Sequence, residues 1–238
     1  MFHPHAVCDG GDLDCGSGLL LIINKNMNPL ENGQVLEIRS RERTVADDLP
    51  AWCRMVKHEY LGSEPGDNTT CYFVRKGQMA STNLEKDLEA ARGYKWNVRV
   101  QGEKELKARI YARNHSFHSG QPADFGTHVD APSAIDYLLS SLATCLTVGF
   151  KAHASRRNVI VDQIELSLKG EVNNILYHIE IEQTGDASLK EITGTCYVSS
   201  SADESLLEEI WQISLERSPV YQTLKKAVEI KLTFSIVY

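Results

Sequence analysis

The chain carries six cysteines, at positions 8, 15, 53, 71, 145 and 196, and two of them stand where a thiol could do chemistry. Cys145 interrupts LLSSLATCLTVGF (138–150), a run otherwise made of leucine, small residues and hydroxyls. Cys15 follows the glycines and aspartates of GGDLDCGSGLLLII (10–23), just ahead of an apolar segment. The thiolate is the nucleophile, so the question at each position is whether the surroundings favour ionisation. An apolar setting raises a thiol's pKa, and a buried free cysteine packs like a small hydrophobe. On composition alone Cys145 is therefore packing. A thiol at a helix N-terminus meets the positive end of the dipole, which lowers its pKa, and this makes Cys15 a candidate for reactivity.

The other four read more simply. Cys53, beside Trp52 and Met55, and Cys71, in an apolar strand, are expected in the core. Cys196 lies in the strand-like TCYVSS. Cys8 with His3 and His5 could hold a stray metal ion, but a frayed terminus is the plainer reading. There is no Cys-x-x-Cys pair, which argues against structural zinc and against a thioredoxin-type motif. The glycines near Cys15 lack both the P-loop lysine and the dinucleotide spacing. No cofactor and no metal are expected.

The elements that must position these thiols follow from length and pattern. A chain of 238 residues suggests two domains. Its formal net charge of -7 argues against nucleic acid or an anionic membrane as partner. MFHPHAVCDGG has neither the basic start nor the apolar core of a signal peptide, and no apolar run is long enough to span a bilayer, so a cytoplasmic protein with reduced thiols is expected.

In the first half, GLLLIINKNM (18–27) is expected to be helical and QVLEIRS (34–40) a strand. DDLPAWCRMVKHEYLG (47–62) reads as a helix with Pro50 in its first turn and Gly62 past its end, and TCYFVRKG (70–77) as a strand. This β-α-β-α-β order implies a two-layer α/β sandwich over 1–78. QMASTNLEKDLEAARGYK (78–95), with Ser81 or Thr82 as cap and Gly93 as stop, gives a charged linker helix over 79–94.

The domain over 95–238 is of α+β type. WNVRVQG and KARIYARNHSF (96–117) suit a hairpin, and Asp130 and Pro132 open a long helix that runs to about Ala154. Leu138, Leu142, Cys145 and Gly149 form one stripe on it, and Leu139, Ala143, Leu146 and Phe150 the next, so burial on most sides is expected. Segments 160–172, 175–183 and 191–200 alternate like strands of one sheet. SADESLLEEIWQISLERS (201–218) is a helix, acidic first and basic last, and KLTFSIVY a closing strand.

APSAIDYLLSSLATCLT (131–147) resembles the signature helix of the OsmC/Ohr superfamily, in which a proline and an acidic residue precede leucine, alanine and a reactive cysteine. The order of strands and helices and the turn SPVYQTL (218–224) extend the resemblance over roughly residues 94 to 238. The resemblance implies an intertwined homodimer with thiol sites between subunits. In its peroxidase branch one thiolate attacks an organic hydroperoxide, becomes a sulfenic acid and is resolved as a disulfide by a second cysteine. Cys145 stands at the attacking position. The resolving cysteine precedes a proline, and here that position is Ser218, before Pro219. The family glutamate ten positions before the cysteine is Ile135 here, with Asp136 beside it on the face opposite Cys145. An activating arginine would come from the early strands, as Arg109 or Arg113. Cys196 could stand in for the missing partner, and an external thiol could also close the cycle.

Residues 6 to 77 resemble the TusA/SirA family of small sulfur carriers, whose first helix opens on aspartate, glycine and Cys-Pro-x-Pro and whose cysteine carries a persulfide. Cys15 falls on that cysteine, with CGSG in place of Cys-Pro-x-Pro. Cys8 lies near enough in sequence to be a pairing candidate.

Three functions remain open. One is redox chemistry on a hydroperoxide or other electrophile at Cys145, regenerated by Cys15 or an external thiol reductant. The second is a relay in which Cys15 takes sulfane sulfur from a donor protein, with the second domain as dimer platform. The third is a non-catalytic module that binds a lipophilic ligand.

Overall fold

The computed structural model describes residues 2–78, 84–121 and 131–237. The chain divides into two units, Met1–Lys95 with Ser155–Asn158, and Trp96–Ala154 with Val159–Tyr238. The expected caps Ser81, Thr82 and Asp130 lie outside the described residues.

The first unit is a four-stranded sheet under two helices. β1 (Ala6–Gly11) leads through a wide helical turn (Cys15–Leu19) into α1 (Leu20–Met27). β2 (Val35–Ser40), α2 (Val45–Met55), β3 (Glu59–Pro65) and β4 (Thr70–Arg75) follow. The strand order is β1-β2-β4-β3, with β1 and β2 parallel and the other pairings antiparallel. Strand alternation sends Cys8, Leu36, Ile38, Tyr72 and Val74 to one face, where Leu19, Ile23, Met27, Leu49 and Trp52 cover them. Each large side chain buried this way stabilises the unit by about 1.5–3 kcal/mol. α3 (Leu84–Arg92), the segment expected to link the domains, clusters with this unit, where Asn24 Nδ2 of α1 lies 3.5 Å from Asp87 Oδ2.

The helix expected over 47–62 is shorter than its pattern suggests. It stops at Met55, and its last residues become strand β3. Lys57 takes a left-handed conformation (φ 60°), and the His58 amide returns to the Cys53 carbonyl at 2.9 Å. That is a Schellman-type ending, with lysine at the position usually given to glycine.

In the second unit β5 (Val98–Gly102), β6 (Ala108–Ala112) and β7 (His115–Ser119) form an antiparallel meander, one strand more than the expected hairpin. The long helix α4 (Ala134–Ser155) follows, then β8 (Gln163–Val172), α5 (Ile175–His178), β9 (Leu189–Ser199), α6 (Glu204–Arg217), α7 (Pro219–Leu224) and β10 (Glu229–Ile236). β9 is central, antiparallel to β8 and parallel to β10. Leu142, Leu146, Phe150 and Ala154 of α4 pack with Ile192 and Val198 of β9 and with Leu207, Ile210 and Trp211 of α6.

Two expectations fail in this unit. Residues 175–183 are a short helix and turns instead of a strand. Asn174 Oδ1 caps the turn by accepting from the Tyr177 amide (3.0 Å), while the Asn173 amide (2.9 Å to the Ser188 carbonyl) pins the neck of the excursion. β8 therefore pairs directly with 189–199, and Leu176, Tyr177 and Ile181 of the alternating segment face solvent. Likewise α4 buries one face only in the single chain. Ser140, Ser141, Thr144 and Lys151 are exposed, and Val148 is 59% exposed.

His58 is 94% sequestered (6% exposed), its Nδ1 accepts from the Gly77 amide at 3.2 Å, and its Nε2 has no hydrogen-bond partner among the described residues. Burial first, and then the charge of Lys76, push its pKa below the ordinary value. The neutral imidazole is thus the folded form. Stability is full above the unfolded pKa of about 6.5, and it declines as pH falls through that value towards the lower folded pKa. Amide exchange of β2 and β4 in the full chain should show weaker protection at pH 5.5 than at pH 7.5. His58→Gln, which keeps an acceptor for Gly77, should flatten that dependence; an unchanged slope would show that His58 does not set it.

Candidate functional site

α4 and the corner between α6 and α7 bring two of the candidate residues together. α6 ends at Arg217. Ser218 is extended (φ -77°, ψ 113°), and Pro219 opens α7 at the position where its missing N–H does no harm. The Ser218 side chain caps α7 by accepting from the Tyr221 amide (3.1 Å), and its hydroxyl donates to Cys145 Sγ at 3.0 Å. Gln222 Nε2 donates to the Leu215 carbonyl (2.9 Å) and locks the corner from the other side. Ser218 is 3% exposed, whereas Cys145 keeps part of its surface open.

The Tyr221 amide fixes the hydroxyl oxygen, so its donor is held towards the sulfur. Ser218 cannot close a disulfide, but it occupies the place from which a second thiol would. The residue was legible in the sequence as a substituted position. Its donor role was not, although a Ser-Pro helix junction aimed at a cysteine is the signal that could have shown it.

The other candidates are placed as follows. Asp136 closes the first turn of α4: its carboxylate accepts from the Ser133 amide and hydroxyl, both at 2.8 Å, and the Ser133 hydroxyl accepts from the Asp136 amide at 3.2 Å. This reciprocal box makes Ser133 the cap of the helix. Nine residues at 1.5 Å rise put Asp136 roughly 13 Å along the axis from Cys145. Arg109 binds Glu103 (2.8 Å), and Arg113 stands at the β6–β7 turn with φ 54°. Cys196 is fully buried, opposite Leu166 and Phe234, with its thiol pushed up to about 12 by burial.

Cys15 opens the wide turn before α1. Asp14 caps that turn through Oδ1 to the Ser17 amide (2.5 Å), and Gly18 (φ 107°) kinks the chain into α1, a conformation open to glycine. The thiol is half-buried against the core. The expected lowering of its pKa is reversed: burial, then the charges of Asp48 and Asp14, push it up. Cys8 and Cys53 are core residues, with thiols raised by burial to about 11 and about 12.

Residues 126–233 match the family model described as OsmC-like protein. The candidate sulfur carrier protein YrkF of Bacillus subtilis is 39% identical over 95 residues, covering 38% of this chain and 51% of YrkF. The sulfur carrier protein TusA of Pseudomonas entomophila is 28% identical over 71 residues, 30% of this chain and 88% of that protein. The chain thus spans about half the length of YrkF. Its N-terminal region carries the sulfur-carrier match. Among solved structures, the OsmC-like protein of Mycoplasma pneumoniae shares the fold at a TM-score of 0.53 and 16% identity, over 61% of this chain and 99% of that one.

Removing the Ser218 donor tests the geometry. Hydrogen bonds to charged groups are worth about 1.5–3 kcal/mol, so Ser218→Ala should slow iodoacetamide alkylation of Cys145 at pH 7 roughly tenfold or more. Ser218→Cys, oxidised with diamide, should give a disulfide joining positions 145 and 218 on peptide mapping. Unchanged alkylation in the first and no cross-link in the second would remove Ser218 from the site.

Proposed function

We propose that this chain, which joins a sulfur-carrier-like N-terminal region to an OsmC-like C-terminal domain, is a thiol redox protein that reduces organic hydroperoxides at Cys145. The observation that carries this reading is the 3.0 Å contact from the Ser218 hydroxyl to a sulfur that is still partly exposed. The thiolate attacks the outer peroxide oxygen. An S–O bond forms, the O–O bond breaks, and the leaving alkoxide takes a proton to become the alcohol. With serine at position 218, the sulfenic acid is resolved by an external thiol. That thiol condenses with it to a mixed disulfide and water, and a second thiol then releases Cys145. Asp136 and Arg113 are supporting groups at most, acting through the helix start and the β6–β7 turn.

The sequence kinship of the N-terminal region favours a second reading, in which Cys15 carries sulfane sulfur received from a donor protein. The electrostatics suit a carrier that stays protonated when idle: burial, and after it the charges of Asp48 and Asp14, disfavour the thiolate until a donor surface changes that setting. In either role the protein works as a homodimer in the reducing cytoplasm. Support for the dimer comes from β5, which leaves Val98 and Val100 62% and 60% exposed. No helix among the described residues is long and apolar enough to cross a membrane.

Reduced protein treated with cumene hydroperoxide and dimedone should acquire the sulfenic-acid adduct at Cys145, and Cys145→Ser should lower peroxide consumption to the background rate. Persulfide at Cys15 after exposure to a sulfane donor, with Cys145 inert, would instead establish the carrier reading. Asp48→Asn should raise the alkylation rate of Cys15 at pH 7, by roughly several-fold if one nearby charge is removed.

A further inference from the structure

The first unit includes four residues from late in the sequence, Ser155–Asn158, and the loop that leads to Cys15 is built against them. β1 ends at Gly11, and Asp12, Leu13 and Asp14 carry the chain on to the thiol. Arg41, just past the end of β2, commits its whole guanidinium here. Its Nε donates to Asp12 Oδ1 (3.0 Å), its Nη2 to the Ser155 carbonyl (2.6 Å) and hydroxyl (2.8 Å), and its Nη1 to Asn158 Oδ1 (3.3 Å). The Ser155 hydroxyl also accepts from the Asp12 amide at 2.7 Å, and the Arg41 amide donates to the Gly11 carbonyl at 2.9 Å. Ser155 is 3% exposed, and a hydroxyl left unpaired at that depth is costly, so the tie resists opening. Gly11 has φ 57°, and a Cβ there would lie 2.3 Å from Ser155 Oγ, so glycine is what lets the two segments meet.

We propose that Arg41 and Ser155 are positioning residues for sulfur transfer at Cys15: they clamp Gly11 and Asp12, and the clamp sets how far the thiol sinks against the core. The inference rests on the carrier reading of Cys15, and it adds to that site a segment 114 residues along the chain from Arg41. Asp14 caps the turn that Cys15 opens, so a loop freed at Asp12 carries the sulfur with it. With the clamp closed the thiol stays half-buried among the core residues. Burial is the first cause that keeps it protonated, and the charges of Asp48 and Asp14 come second. Opening the clamp removes part of the first cause and so favours the thiolate. Transfer then follows from a persulfide on the donor protein. The Cys15 thiolate attacks the terminal sulfur, an S–S bond forms at Cys15, the donor's own S–S bond breaks, and the departing thiolate takes up a proton.

The test compares the full parent chain with Ser155→Ala, which removes the shared acceptor and leaves every charge in place, and with Arg41→Lys, which keeps the charge opposite Asp12 but not the fork that spans three partners. Iodoacetamide alkylation of Cys15 is followed as a function of pH by peptide mapping, and Cys53 and Cys196 are read in the same samples. In Ser155→Ala the Cys15 rate at pH 7 should rise about threefold or more and its rate–pH curve should move to lower pH, while Cys53 and Cys196 stay slow. Arg41→Lys should move the curve in the same direction. Should Ser155→Ala loosen the unit, Cys53 would label as well, and Arg41→Lys then decides. A Cys15 curve that does not move in a folded variant overturns the proposal, as does fast labelling of Cys53 in both variants, which would make the tie a general support of the unit. Persulfide loading of the parent from sodium polysulfide is a separate arm. No persulfide at Cys15 removes the carrier reading, whereas the alkylation curves judge the clamp.

Discussion

The corner from Leu215 to Tyr221 constrains the second unit because a hydroxyl is buried there and must find partners. An unpaired buried hydroxyl costs about 1–3 kcal/mol. Ser218 is satisfied twice, by the Tyr221 amide that it accepts from and by the Cys145 sulfur that it donates to. Both bonds depend on α6 ending where it does. Pro219 cannot continue α6 with a standard hydrogen bond, yet it fits the first position of α7, so the chain turns with Ser218 as its hinge. On the facing side Leu142 and Leu146 anchor α4 in the core and leave Cys145 on the shoulder of the helix. The thiol is positioned by packing, and its hydrogen-bond partner is set by the hinge.

The thiols differ in what stands next to the sulfur rather than in depth alone. Cys8, Cys53 and Cys196 are sealed, and burial holds them protonated. Cys15 and Cys71 are both half-open and both have carboxylate neighbours, but the arrangements differ. At Cys15 burial comes first and the charges of Asp48 and Asp14 add to it. At Cys71 burial comes first and Glu37 second, while the charge of Arg39 works the other way. Cys145 has a neutral donor. One residue type thus serves as packing and as a suppressed nucleophile within a single chain, and only the neighbours tell these apart.

This explains how far the sequence could be read. Alternation and caps gave β2, β4, α4, α6 and β10 close to their observed ends, because those elements rest on periodicity and on local end signals. The pattern over 47–62 hid β3, because the helix is closed by Lys57 in a left-handed conformation that no glycine announced. The alternation of 175–183 suggested a strand, but the neck at Asn173 had already committed β8 to β9. At the sites, position was legible and polarity was not. Cys145 and Ser218 could be placed by resemblance, while the donor role of Ser218 is a contact across 73 residues of chain. The helix-dipole argument for Cys15 was overturned first by burial against the core and then by Asp48, 33 residues further along, neither of which the local pattern shows.

The reading of α4 as buried on most sides can be understood through what one chain leaves uncovered. Its stripe at Leu142, Leu146, Phe150 and Ala154 is fully buried, while Val148 on another face is largely exposed. In the same unit Trp96, Val98, Val100 and Leu106 are also largely exposed. Apolar area left in water costs roughly 25 cal/mol per Å², and exposed patches of this kind mark surfaces meant to be covered. A three-stranded meander that leaves β5 so open has little reason to hold its shape alone, since small sheets need a packed face. A second copy laid against β5 and the exposed side of α4 would give both elements that face. On this argument the apolar surplus of LLSSLATCLTVGF exceeds what the single chain buries.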